Sequence, residues 1–295
     1  MTGLGFLIYK VNHTLYLEDA KNSVESVLTL TQELLEHEKQ LALSVALMLS
    51  QNETLKKGYL ENNRSLLFAT LHEEIPNIKR YLGMETLEVQ LHSKEGKALV
   101  RSWDFGSHGD ELLSFRKGVS LVQKYQNPFV SVELGKRLNI KAIAPVFLEG
   151  KFIGSLEVIL DFETIAHKLR EKKIHFAILM EKSFLEIGEW MKEKQIIKEY
   201  VLLNSECVEC IPTLQALIDP HTLRNGFARE NNTLFGFTPL FDIEAKQVGY
   251  IGVWFDESLL NESLLLKASL SPTLKSLHVT HLHPEIPQNH EIEIR

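Results

Sequence analysis

Two stretches decide the fold: APVFLEGKFIGSLEVILD at residues 144–161 and TPLFDIEAKQVGYIGVWFD at residues 238–256. Pro145 aligns with Pro239, Phe147 with Phe241, Gly154 with Gly249 and Asp161 with Asp256, with one extra residue in the second turn. Each stretch is an apolar strand, a polar turn and a second apolar strand, which is the pattern of a hairpin. A hairpin that recurs about 95 residues further along implies two related sheet modules in one chain.

Working outward from the first hairpin, Leu87–Leu91 alternates apolar and polar residues, Ser93–Gly96 reads as a turn, and Ala98–Val100 returns as a strand. Further strands are expected at Val130–Glu133 and His175–Met180, and helices at Leu112–Lys124, Phe162–Arg170 and near Phe184–Lys194. A second module begins at Tyr200–Leu203 and ends in the second hairpin, followed by a helical reading over Glu257–Ser276 and a loose tail.

Ahead of the sheets, positions 17, 20, 24, 27, 31, 34, 38, 41, 45 and 48 carry Leu, Ala, Val, Val, Thr, Leu, Glu, Leu, Val and Met. Eight of the ten are apolar and no Gly or Pro interrupts Leu15–Gln51, so this is one amphipathic helix about 50 Å long. Its second half is expected to pack along its own domain, while its first half has less sequence to cover it and is open to a second chain. Asn52 and Asn63 read as N-caps of shorter helices, the latter ending or kinking at Ile75-Pro76. The class is therefore α+β, with a helical segment at 1–80, a first sheet module at 81–198 and a smaller one at 199–295.

Composition narrows the function. Hydrophobic residues make up 44% and charged residues 24% of 295 residues, which is ordinary for globular domains. A net charge of -7 argues against a nucleic-acid binder, which needs a basic surface. No apolar run reaches the ~20 residues that cross a bilayer. The apolar start Leu4–Tyr9 is either the outer stub of a membrane helix or a frayed terminus. Phosphate-loop, dinucleotide, zinc-protease and nucleophile-elbow motifs are all missing, so no enzyme is expected.

An ordered series stands out in the first module: Arg101-Ser-Trp103, Gly109-Asp-Glu-Leu-Leu-Ser-Phe-Arg116, Glu133-Leu-Gly135, Ala144-Pro-Val-Phe147 and Gly154-Ser-Leu-Glu157. It resembles the double Cache (dCache) sensory domains of bacterial sensor kinases and chemotaxis receptors, over roughly residues 20–260 and most strongly over 85–161. The resemblance implies a long helix followed by two PAS-like modules, of which the membrane-distal first holds a ligand and the proximal second relays movement. It also implies a periplasmic, extracytoplasmic place in a membrane-attached receptor, a homodimer through the N-terminal helix, and no cofactor. Many relatives carry Arg where this chain has Lys141, and an ammonium cannot copy the planar fork of a guanidinium.

Arg101, Trp103 and Arg116 are the leading ligand-binding candidates, since two guanidiniums and an indole can clamp an anion and cover an organic body. The alternative is a surface Arg on each element, bridged to Asp104 or Glu111. Glu157 interrupts an apolar strand where the second copy has Gly252, so it is either buried and paired or turned to solvent by strand alternation. Asp110 and Lys141 are further pocket candidates, Gly106 and Gly109 let their loop approach closely, and Tyr125 and Phe129 are wall or core residues. No metal site is expected. Cys207 and Cys210 suit a local disulfide in an oxidising compartment, a Cys2His2 site with His278, His281 or His283, or two free thiols.

The expected function is a small-molecule sensor in bacterial signal transduction or chemotaxis that binds a small organic anion in the first module. Closure on the ligand would shift the long helix. A cytoplasmic PAS- or GAF-like module holding haem or flavin fits the same hairpins, and an enzyme with an unrecognised site is the third reading.

Overall fold

The computed structural model describes residues 2–204 and 211–260. Strands β1 (Glu88–Ser93), β2 (Ala98–Arg101), β3 (Phe129–Leu134), β4 (Leu138–Leu148) and β5 (Lys151–Leu160) form an antiparallel sheet in the order 2-1-5-4-3. Strands β6 (His175–Glu181), β7 (Ile196–Ile197), β8 (Tyr200–Leu202), β9 (Phe227–Glu230), β10 (Thr233–Phe241) and β11 (Gln247–Asp256) form a second, in the order 7-8-6-11-10-9. Without the two-residue β7, the second order is the first one over again, with β6 standing for β1 and β11 for β5. This is the fold of a long helix followed by two PAS-like α+β modules. The second sheet takes up β6, so a division at residue 198 runs through that sheet and not between the two.

The two repeated stretches are the hairpins β4–β5 and β10–β11. Both carry a register shift at the same place, between Val146 and Phe147 and between Leu240 and Phe241. Their shared glycine has one physical cause. A Cβ on Gly154 would lie 2.5 Å from the His92 carbonyl oxygen of β1, and a Cβ on Gly249 would lie 1.9 Å from the Leu179 carbonyl oxygen of β6. Any side chain would push the neighbouring strand away, so both copies keep a residue without one.

Helix α1 runs unbroken from Thr2 to Ser50, about 74 Å at 1.5 Å per residue. Its buried positions are Ala20, Val24, Val27, Thr31, Leu35, Glu38, Ala42, Val45, Ala46, Leu49 and Ser50. Ala20, Val24, Val27, Thr31, Glu38 and Val45 lie on the expected seam, whereas Leu17 is only half-buried and Leu35, Ala42 and Leu49 replace Leu34, Leu41 and Met48. A strict heptad seam presumes 3.5 residues per turn, whereas a straight helix drifts by about 20° per heptad. The observed spacing is that of a straight helix lying on its own chain. Val24 and Leu28 sit against Gly236 of β10, and the same helix packs along β4 and β5. One helix thus ties both sheets together, and the half near the N-terminus is partly covered by the second sheet. Phe6, Tyr9, Val11 and Leu15 remain exposed.

Asn52 and Asn63 cap helices α2 (Glu53–Leu60) and α3 (Arg64–Leu82), each accepting a backbone N–H at 3.0 Å. Helix α3 passes through Pro76 and ends only at Gly83. Pro76 and His72 are both exposed, so the carbonyl freed by the missing N–H faces water and does not break the helix. The remaining helices are α4 (Lys117–Tyr125), α5 (Glu163–Arg170), α6 (Ile211–Leu217) and α7 (Pro220–Asn225). In place of a helix over Phe184–Lys194 there are two short 3-10 turns, Lys182–Glu186 and Glu189–Met191, separated by Gly188. Cys207, Cys210 and the expected helix and histidines beyond residue 260 lie outside the described residues.

The straight-helix packing has a direct consequence. Leu49→Ala should cost about 3 kcal/mol in urea unfolding, while Met48→Ala, at an exposed position, should stay within about 0.5 kcal/mol. Equal losses at the two positions would restore the heptad seam.

Candidate ligand-binding pocket

Strand register assembles the site. Across the first sheet Arg101 pairs with Gln90, Gln90 with Glu157, and Glu157 with Ile143. Directly opposite residues point to one face of a sheet, so this polar row shares a face. The next rows on that face hold Lys141 opposite Ser131, and Glu133 opposite Asn139. Alternation therefore turns Glu157 inward and not to solvent, and it is fully buried.

Arg116 reaches over this face from the residue just ahead of α4. Its Nε donates to Glu133 Oε1 at 3.2 Å and its Nη2 donates to Glu157 Oε1. Burial by itself raises a carboxyl, but the Arg116 guanidinium, with His92 and Lys141, holds Glu157 well below the usual carboxylate range. Burial likewise works against the charged guanidinium, yet Glu157 and Glu133 together keep Arg116 above its ordinary value. His92 lies behind Glu157, with Nδ1 2.9 Å from Ser155 Oγ and Nε2 3.5 Å from Glu157 Oε2.

A cavity of about 50 Å³ opens beside this cluster, with Arg101, Trp103, Arg116 and Lys141 in its walls. Arg101 is buried and ion-paired to Asp110, not to Asp104 or Glu111, and it also donates to Ser107. That hydrogen bond from Arg101 lowers the Asp110 carboxyl. The loop with Gly106 and Gly109 brings these two partners to Arg101. The Trp103 Nε1–H is buried without a hydrogen-bond partner. Phe129 packs into the core beside Val119, Val122 and Ile143, and Tyr125 is exposed with the Lys124 ammonium 4.8 Å from its ring centre. Neither lines the cavity.

Lys141 is 3% exposed, and its Nζ donates to the Arg137 carbonyl at 3.3 Å. Burial, followed by the nearby Arg116 guanidinium, pushes it down to about 7, against the opposing pull of Glu133 and Glu157.

Among the wall residues that escape a reading of the sequence are Gln90, Lys136, Arg137, Asn139 and Trp190. The Arg137 guanidinium lies 5.9 Å from the Trp103 ring centre and 5.5 Å from that of Trp190, and it is paired with Glu88. Trp190 comes from the second of the two 3-10 turns after β6. Its N–H donates to the Lys136 carbonyl at 3.2 Å, and the next residue, Met191, receives the Leu138 N–H on sulfur at 3.4 Å. The only signal in the sequence is an exposed-looking Trp among charges, Glu189-Trp190-Met191-Lys192.

The matching place in the second sheet is filled. Gly252 takes the position of Glu157, and a Cβ there would meet the Phe237 ring at 3.3 Å. Phe237 joins Phe235, Trp254 and Leu214 in an apolar core. A second cavity, of about 230 Å³, lies at the end of this sheet beside the stacked rings of His175 and Trp254, and no Lys or Arg of the described residues lines it. Among the described residues no group of His, Cys, Asp or Glu could hold a metal ion, and no helix is long and apolar enough to cross a membrane.

Two sheets of one connectivity, one with a charged cavity and one with an apolar core, define a tandem of two like modules. The chain belongs to the dCache_3 family, the double sensory domain of two-component sensor kinase, whose model matches residues 18–198. Among solved structures, the chain is similar to the ligand-binding domain of the Campylobacter jejuni chemoreceptor Tlp3 in complex with 4-methylisoleucine. The identity is 16% and the TM-score 0.47, over 84% of this chain and 94% of that one. It is also similar to the sensor domain of the V. cholerae histidine kinase DctB, at 11% identity and a TM-score of 0.46, over 80% of this chain and 96% of that one. No curated protein sequence matches the chain. The family is sensory, not catalytic.

The depressed Lys141 makes a testable contribution to stability. The unfolded chain holds this proton up to about pH 10.4, while the folded protein releases it near 7. Between these values the unfolded state binds more protons, so stability rises with pH. Unfolding free energy measured relative to Lys141→Met should climb by up to about 1.4 kcal/mol per pH unit from pH 7 to 10. A flat difference would mean that Lys141 keeps its ordinary basicity.

Proposed function

We propose that this chain is the extracytoplasmic ligand-sensing part of a bacterial transmembrane receptor, serving signal transduction or chemotaxis. The pocket of the first module binds a small organic anion, and closure is relayed through α1. The observation that carries this reading is the cavity beside Arg116, with five Lys and Arg residues and no Asp or Glu in its walls. Gln90, Trp103, Asn139 and Lys141 present polar atoms to a bound molecule, Asp110 positions Arg101, and Glu157 positions Arg116. A cavity of this size suits a ligand of a few heavy atoms and is too small for haem or flavin, since sites for drug-sized molecules run to ~300 Å³ or more.

The first sheet is then the ligand module and the second, from His175 onward, the relay. Two observations support that order: the apolar filling around Phe237, and α1 lying on strands of both sheets. The exposed Phe6, Tyr9 and Leu15 of α1 favour a homodimer through that helix.

A thermal-shift screen of organic acids, amino acids and amines tests the site. Organic acids should raise the melting temperature of the wild-type protein, and Trp103→Ala and Arg101→Ala should each weaken those hits at least fivefold. Hits that are all indifferent to both substitutions would place the ligand elsewhere.

A further inference from the structure

The charges around the cavity do not sum to a ready-made anion site. At its rim the cations are already paired: Arg101 with Asp110, Arg137 with Glu88, and Lys136 with Glu189. Deeper in, Arg116 is shared by two carboxylates, Glu133 and Glu157. One guanidinium against two carboxylates leaves an inner charge of -1, with His92 behind Glu157. Lys141 is the remaining cationic side chain of the wall, and among the described residues it forms no ion pair. From β3 it faces Glu133, from β5 Glu157, from the start of α4 Arg116, and from the β3–β4 turn Arg137.

With Lys141 neutral, an incoming carboxylate meets that net negative cluster in a poorly solvated space, where like charges repel strongly. With Lys141 protonated the inner charge is zero, and the ammonium can donate to the anion. Resting on the pocket assignment above, we infer that Lys141 is the group that recognises a ligand carboxylate, and that it does so by taking up a proton together with the anion. The empty pocket thus admits the carboxylate and a proton as a pair, and the sensor responds more strongly to a given anion concentration as the surroundings acidify. The amine's position near neutrality in the free protein sets the range in which this matters, from about pH 7 upward. A ligand ammonium group gains nothing here, because no carboxylate lines the cavity.

Calorimetric titration tests the inference, using propionate, pyruvate and succinate, with alanine and aspartate as their ammonium-bearing counterparts. Each is measured from pH 6 to 9 in two buffers of different ionisation heat. The expected result is uptake of about one proton per bound anion at pH 8 and affinity falling about tenfold per pH unit above 7.5. Lys141→Arg should bind the same anion without proton uptake and with a flat profile, and Lys141→Gln, a smaller replacement, should lose both affinity and slope. Binding without proton uptake by the wild-type protein, or uptake that persists in Lys141→Arg and so belongs to His92, overturns the inference while leaving the pocket assignment standing. Anions that bind but are unaffected by Trp103→Ala and Arg101→Ala, or that do not bind even at pH 6, overturn the pocket assignment and the inference with it.

Discussion

The site rests on one arrangement, a single buried guanidinium held between two buried carboxylates. Moving three charges out of water costs several kcal/mol each, and mutual attraction offsets this only where geometry is fixed. Here the sheet fixes it. Glu133 and Glu157 stand on β3 and β5, the strands that flank β4, so they cannot drift apart without breaking the pairing of both. Arg116 enters from above and spans the gap. Removing Arg116 strands two carboxylates in a dry space, which is far more costly than never having placed them there. The trio also dictates the state of Lys141, its neighbour on β4. The excess negative charge pulls a proton toward the amine, while burial and the Arg116 guanidinium push it off, and the second pair of effects is the larger.

The two sheets are one backbone plan with two fillings. In the first, polar side chains face inward: Arg101, Arg116, Glu133 and Glu157 are ion-paired, while Gln90 Nε2, Ser131 Oγ and Asn139 Oδ1 are buried without a hydrogen-bond partner. In the second, Gly252 clears the way for Phe237, and aromatic and aliphatic side chains close the same volume. An apolar filling needs no partners and no compensation, so it makes a stiff support. The polar filling leaves unpaired atoms such as the Trp103 indole N–H, and such atoms are answered by water or by a ligand. The difference between a charged cavity and an apolar core is here a matter of a handful of side chains on a shared frame.

Much of this was readable without coordinates. The hairpins, the two asparagine caps and the interruption of an apolar strand by Glu157 are local features, written in a few adjacent residues. Arg101, Trp103 and Arg116 were reachable through the motif series and Lys141 through the family resemblance, and all four line one cavity. What stayed hidden is non-local. Arg137 matters because the β3–β4 turn brings it between two indoles, one of them 53 residues further along the chain. The membership of β6 in the second sheet depends on its pairing with β11, which an apolar run alone does not announce. The α1 seam drifted because the true period differs from the assumed one by a tenth of a residue per turn, an error that is invisible over two turns and complete over eight. Pro76 misled as well: the carbonyl it frees belongs to the exposed His72, and α3 continues to Leu82.

The missing side chains at Gly154 and Gly249 carry a last consequence, for how such a chain can change. At both places the neighbouring strand lies too close for any β-carbon, so the frame tolerates almost no variation there. Three residues further along the same strands, at Glu157 and Gly252, the two copies already differ in charge, size and polarity. The geometry therefore separates rigid sites from negotiable ones by only three residues. A lineage can exchange the filling of either sheet, turning a pocket into a plug or a plug into a pocket, without disturbing the strands that hold the long helix. In such an architecture the filling is the easy thing to alter, and the frame around it is the hard one.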